Sequence, residues 1–275
     1  MAVKQINLNR NADIVKTCTE DHHFRAEMLL AENVLVRILS GELKVVLADR
    51  IYTFGLGDTL LVPRNQLATL IAYPKDGLSY KAVIMRLTTA ILREYYTKNK
   101  LSLPPPPASG ILPFAKSPLL DSFFASLLPY LELENKLQEK LVAVKTEEAI
   151  EILRSLDPQS DSVLADFSEV GKIDLAEFME TNYMFNIPLA KFSQLTGRSL
   201  TTFKRDFKKA FQLSPQRWLT QKRLALAHHH LVEKQRKPVE LYQEAGFENL
   251  SHFSYAFKKQ FGYPPTALTG QVASH

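Results

Sequence analysis

Leu200-Thr-Thr-Phe203-Lys-Arg-Asp-Phe207-Lys208-Lys209-Ala-Phe211-Gln-Leu-Ser-Pro215 returns, fifty residues on, as Leu250-Ser-His-Phe253-Ser-Tyr-Ala-Phe257-Lys258-Lys259-Gln-Phe261-Gly-Tyr-Pro-Pro265. Seven of the sixteen positions are identical: apolar residues at helical spacing, a basic pair and the closing proline. The positions between them differ. A repeat of this kind supplies one scaffold with two different faces. Two similar helices offered to two stretches of one ligand are what reading a DNA duplex requires.

Each copy sits at the end of a longer pattern. Ile173 to about Tyr183 is amphipathic, and Pro188 opens a short helix, Leu189-Ala-Lys-Phe192-Ser-Gln-Leu195, that ends at Thr196-Gly197. Proline in a first helical turn and glycine just past the end are ordinary helix punctuation. Ser199 can cap the next helix, whose inward stripe is Leu200, Phe203, Phe207 and Phe211. That leaves Thr201, Lys204, Arg205 and Lys208 on other faces. The plan recurs as a helix over 239–245, the turn Gly246-Phe247-Glu248, and a helix with Leu250, Phe253, Phe257 and Phe261 inward. Between the units, Pro215 to Glu233 reads as one long helix that fixes their separation.

Upstream, short apolar runs alternate with turn residues: Val34–Leu39, Leu43–Leu47, Arg50–Phe54, Thr59–Val62, Leu67–Ala72 and Lys81–Arg86. Closely spaced strands predict a small antiparallel barrel or sandwich, and the whole chain is α+β. A helix follows over 88–100 and stops at the four prolines Pro104 to Pro107, which form a stiff connector or a docking motif. From Pro118 to about Leu156 helical periodicity returns, with broad apolar faces that either pack on the barrel or pair with a second chain. The polar run Asp157-Pro-Gln-Ser-Asp-Ser162 marks a hinge.

Composition narrows the function. The net charge is +5, but residues 171–275 carry 15 Lys+Arg against 8 Asp+Glu, and residues 1–170 carry 19 against 21. The basic surplus therefore lies with the repeats, as nucleic-acid binding needs. The single cysteine, Cys18, rules out an intramolecular disulfide and a zinc ribbon and suits a reducing compartment. The first residues lack the apolar core of a signal peptide, and no apolar run approaches a membrane span, so a cytoplasmic location is expected. His228-His229-His230 cannot converge on one ion, because successive helical residues are about 100° apart. His22-His23 has no partner at ligand spacing, so no metal and no cofactor are expected. Neither a phosphate-binding glycine loop nor a nucleophile motif is present, which argues against an enzyme. The aromatics face inward, unlike those of a module that stacks on RNA.

Residues 170 to 270 resemble the DNA-binding domain of the AraC/XylS transcription regulators. The matches are Leu189-Ala190, Ser199, Arg205, Phe207-Lys208, Ser214-Pro215, Arg223-Leu224 and Ala227, then Ala245-Gly246-Phe247, Ser251, Phe253, Phe257-Lys258-Lys259, Phe261-Gly262 and Pro265. Two positions depart: Gln212 stands where the first unit normally has glycine, and Tyr255 where the second often has arginine. The resemblance implies that Thr201, Lys204 and Arg205 face base edges in one major groove and Ser251, Ser254 and Tyr255 in the next, about 34 Å along. Arg198, Lys208 and Lys258 would touch phosphates. The alternative use of Arg205 is an ion pair with a nearby carboxylate.

The amino-terminal part is similar to the family's sensor domain, a cupin-like antiparallel β-barrel followed by dimerisation helices. Gly110-Ile-Leu-Pro-Phe114, Ser117-Pro-Leu-Leu120 and Lys145-Thr-Glu-Glu148 resemble its ExsA branch, which activates type III secretion genes under restraint by a protein anti-activator. The implied organisation is a sensor and dimerisation domain over 1–156, a linker over 157–170 and a double helix-turn-helix domain over 171–275. The implied partners are double-stranded DNA, a second copy through residues 118–156, a small-molecule inducer or a protein anti-activator, and RNA polymerase.

Overall fold

The computed structural model describes residues 14–19, 24–99, 110–132, 139–167, 173–243, 245–247 and 249–268. Pro104 to Pro107, His22-His23 and Gly171 lie outside them. The chain divides into two units, Met1–Ser168 and Glu169–His275.

In the first unit eight strands, β1 (Ile14–Cys18), β2 (Phe24–Leu30), β3 (Asn33–Ser40), β4 (Glu42–Val46), β5 (Ile51–Phe54), β6 (Thr59–Val62), β7 (Gln66–Tyr73) and β8 (Lys81–Leu87), precede a helix, α1 (Thr89–Lys98). A ninth strand, β9 (Leu112–Phe114), leads into α2 (Pro118–Glu132), α3 (Glu139–Leu156) and α4 (Ser160–Leu164). The strands form two antiparallel sheets, ordered β1-β8-β3-β6-β9 and β2-β7-β4-β5. The cupin-like barrel that the resemblance implies is corrected by this topology in favour of the sandwich alternative. No strand of one sheet pairs with the other among the described residues, so the architecture is two facing sheets with four free edges.

The larger sheet is buried on both faces. Leu35, Leu61, Val83 and Met85 join a core with Leu92 of α1, Phe123 and Leu127 of α2 and Ile150 of α3. Their neighbours Val34, Val36, Leu60 and Ala82 join a second core with Leu43, Val45 and Ala68 of the smaller sheet. This is why Leu60 to Val62 of β6 read as an unbroken apolar run: a strand covered on both sides has no polar face to alternate. Gly41 is the only residue between β3 and β4 as the chain changes sheets. Its φ of +74° and the approach of the Tyr73 carbonyl, 2.6 Å from where a Cβ would sit, admit no side chain.

Of the apolar positions on α2 and α3, Leu120, Phe123, Leu127, Ala149, Ile150 and Leu153 are buried, while Leu119 and Val144 are exposed. The polar run expected as a hinge is packed instead. Ser160 is buried and its hydroxyl donates to the Leu153 carbonyl at 3.1 Å, while Val163 and Leu164 of α4 enter the helical core. The Arg154 Nε reaches Asp161 at 2.7 Å and its Nη1 reaches the Tyr95 hydroxyl at 2.9 Å, so α1, α3 and α4 share one polar network.

The second unit is helical: α5 (Leu175–Asn182), α6 (Leu189–Leu195), α7 (Leu200–Phe211), α8 (Pro215–Glu233), α9 (Pro238–Leu241) and α10 (Leu250–Phe261), closed by a 3₁₀ turn at Pro265–Leu268. The helix expected over 239–245 stops at Leu241 and continues as tight turns, with the Ala245 N–H bonded to the Leu241 carbonyl and the Gly246 N–H to that of Gln243. Phe203 and Phe207 of α7 and Phe253 and Phe257 of α10 are fully buried. Leu200 and Leu250, expected inward, are each 38% exposed, because the first turn of each helix projects beyond the core.

The copies end alike. Gln212 follows α7 at φ +56° and Gly262 follows α10 at φ +86°, both left-handed. Glycine enters that region freely, whereas a residue with a Cβ is strained there by roughly 1–2 kcal/mol. Gln212 recovers part through a bond from its side-chain amide to the Lys209 carbonyl at 3.0 Å. Gln212→Gly is expected to stabilise the second unit by about 1 kcal/mol, read as a higher midpoint in urea unfolding followed by Trp218 fluorescence.

Candidate nucleic-acid interface

The two repeated helices are started by side chains that only some residues supply. The Ser199 hydroxyl accepts the Thr202 N–H at 3.2 Å, and the Asn249 side-chain Oδ1 accepts the His252 N–H at 2.9 Å. Each satisfies one of the donors that a helix start leaves open. Each helix then lays its phenylalanines on α8. Phe207 and Phe211 lie 5.5 and 4.7 Å from the Trp218 ring, and Phe257 and Phe261 lie 5.9 and 4.7 Å from the His228 ring. The histidine triplet expected to hold no metal thus has a packing use at its first member. His228 Nε2 is 2.6 Å from the Tyr263 hydroxyl and its ring stacks on Phe257.

With the phenylalanines turned in, the residues between them face out. On α7, Thr201, Lys204, Arg205 and Lys208 are exposed; on α10, Ser251, Tyr255 and Lys258 are exposed and Ser254 is half-buried. Tyr255 is the most open large hydrophobic side chain among the described residues of the unit, at 71%. Lys204, Lys208 and Lys258 form no ion pair with any described carboxylate, so their charge is available to an anionic ligand. The basic pairs Lys208-Lys209 and Lys258-Lys259 also occupy the last turns of their helices, where a cation complements the helix dipole.

Arg205 and Arg198 meet at one carboxylate, Asp206. Arg205 donates to Asp206 Oδ1 from both Nε and Nη2 at 3.2 Å, and Arg198 Nε donates to Oδ2 at 3.2 Å. Arg198 also donates to the carbonyls of Thr196 at 2.6 Å and Ile173 at 3.1 Å, and its side chain is only 11% exposed. The Arg205 side chain is 75% exposed, so its guanidinium is held by one edge with the rest open. The role of Asp206 was legible only as adjacency to Arg205; that it also ties Arg198, eight positions back, required the turn between α6 and α7. Partial burial pushes the Asp206 carboxyl up, but the hydrogen bonds from Arg198 and Arg205 and their charges outweigh it and hold the carboxyl below its ordinary value.

Both capped helices present different polar side chains on a common frame, which defines a DNA-binding protein with two helix-turn-helix units. Residues 192–271 match the helix-turn-helix domain model, and residues 33–164 match the ExsA N-terminal regulatory domain. The chain belongs to the AraC/XylS family of transcriptional regulators, with an ExsA-type amino-terminal domain, and is not an enzyme. It is similar to the HTH-type transcriptional regulator ExsA of Pseudomonas aeruginosa, 28% identical over 237 residues that cover 83% of each chain. It is also similar to the thermoregulatory protein LcrF of Yersinia pestis, 27% identical over 248 residues covering 86% of this chain and 88% of LcrF. The virulence regulon transcriptional activator VirF of Yersinia enterocolitica matches at the same identity and coverage. Among the described residues, no helix is long and apolar enough to cross a membrane.

A carboxyl whose folded value is depressed stabilises the fold at pH above its unfolded value and ceases to do so as pH falls through the folded one. The melting temperature of the wild type is therefore expected to exceed that of Asp206→Asn at pH 7. The gap should close as pH drops below the ordinary aspartate range, as followed by circular dichroism.

Proposed function

We propose that the protein is a sequence-specific activator of transcription that reads two successive major grooves. Thr201, Lys204 and Arg205 of α7 face base edges in one groove, and Ser251, Ser254 and Tyr255 of α10 in the next, about one helical turn away. Lys208 and Lys258 take phosphates, which set position without reading sequence. Arg198 serves by holding the turn ahead of α7, since its guanidinium is already bonded to Asp206 and two carbonyls. Arg205 is the strongest reader. Asp206 steadies one edge of its guanidinium, and the open edge suits the O6 and N7 of guanine. The observation that carries the reading is the near-identical burial of α7 and α10 combined with different exposed side chains.

The first unit supplies pairing and control. Leu119, Val144 and Leu156 are 51%, 59% and 38% exposed along α2 and α3, an apolar surface suited to a second copy through residues 118–156. The space between the sheets, bounded by side chains such as Val36, Val45, Leu60 and Tyr80, is about 120 Å³. Small-molecule sites are commonly about 300–1,000 Å³. The cavity is small for an inducer, which favours a protein anti-activator as the input. The names of LcrF and VirF support activation, with RNA polymerase as the partner at the promoter and the cytoplasm as the place of work.

Selection of bound sequences from random duplex DNA tests the reading, with a bipartite site as the expected product. On that site Arg205→Ala should lose roughly 1–3 kcal/mol of discrimination at one base position, whereas Lys208→Ala should weaken every sequence alike and flatten the salt dependence. Equal loss on all sequences for both variants would remove the assignment. Val144→Glu is expected to shift the protein from dimer to monomer in sedimentation velocity while leaving its melting temperature unchanged.

A further inference from the structure

The two helix-turn-helix units are anchored on α8 at separate points, Trp218 for the first and His228 for the second. Between them lies a cleft of about 480 Å³, bordered by Pro188 and Leu189 of the first unit, Leu219 and Thr220 of α8, and Ala245 and Phe247 of the second. Continuous apolar packing therefore does not weld one unit to the other. Arg223 of α8, only 8% exposed, stands at this junction. Its Nε donates to the Tyr183 carbonyl at 2.9 Å, its Nη2 to the Phe185 carbonyl at 2.6 Å and its Nη1 to Asn186 Oδ1 at 3.0 Å. All three acceptors belong to the segment between α5 and α6. On the other side of the same guanidinium is Gly246, in the turn of the second unit. A Cβ there would fall 2.6 Å from Arg223 Nη1 and 3.0 Å from Asn186 Oδ1, and the φ of +80° disfavours any side chain.

We infer that Arg223, seated against Gly246, sets the angle between the two units and thereby the spacing of the DNA segments that α7 and α10 read. The first unit supplies the acceptors, α8 the guanidinium, and the second unit the bare backbone that lets them close. A planar guanidinium with donors in a fixed fork can hold three acceptors in one geometry; an ammonium on a flexible stem cannot. Arg223 is a positioning residue and touches no base. The inference rests on the reading that both helices enter the duplex.

The test uses the full chain, the selected bipartite site and the same site with one base pair inserted between its segments, which moves one segment by about 3.4 Å and turns it by roughly 35°. The wild type is expected to bind the inserted site roughly tenfold or more weakly, as loss of base contacts would require. Arg223→Lys and Arg223→Met are expected to bring that ratio to within about threefold, with Trp218 fluorescence retained as evidence of folding. An unchanged ratio in folded variants overturns the inference, and so does loss of the Trp218 signature in both, which would assign Arg223 to stability alone. A wild type that selects only one segment, or ignores the insertion, overturns the two-groove reading instead.

Discussion

Stacking of two phenylalanine stripes on one 19-residue helix is the contact on which the DNA-binding unit depends. Trp218 and His228 are ten residues apart on α8, which separates the two anchors by about 15 Å along the axis and turns them by roughly 80°. Each fully buried phenylalanine contributes roughly 1.5–3 kcal/mol, and Phe203, Phe207, Phe253 and Phe257 are all in that state. Because these buried residues hold α7 and α10 in place, the positions between them are free to differ. That freedom lets one scaffold carry Lys204 and Arg205 in one copy and Ser254 and Tyr255 in the other.

A comparable constraint shapes the first unit. Its five-stranded sheet is a shared wall, with helices on one face and the second sheet on the other. Covering both faces leaves no polar side to the wall. The same close packing keeps the space between the sheets small. The apolar residues Leu119, Val144 and Leu156 of α2 and α3 are exposed on the outside of this body.

The strands that sequence patterns made legible were the ones rich in aliphatic residues, from β3 to β8. β1, β2 and β9 escaped for distinct reasons. In β1 the run Ile14-Val-Lys-Thr-Cys18 alternates only partly, and β2 is a half-buried edge strand carrying Arg25 and Glu27. β9 has three residues with Pro113 at its centre, acceptable because it lies at the edge of its sheet. The run over 157–162 looked like a hinge because its residues are polar. Tertiary contacts instead drew α4 inward, where Ser160 finds the Leu153 carbonyl.

Local chemistry in the sequence was enough to determine the repeat, the Ser199 cap, the long helix from Pro215 to Glu233 and the outward set on α7 and α10, because helical period, capping oxygens and proline act within a few residues. The departure at Gln212 was visible as well, since both copies need a left-handed residue at that point and only one has glycine. The split into two open sheets, the carboxylate shared by Arg198 and Arg205, and the seating of Arg223 against Gly246 were decided only by the tertiary structure. Each joins groups distant in the chain, and whether a polar side chain is buried with partners or left in water depends on what the rest of the fold brings beside it.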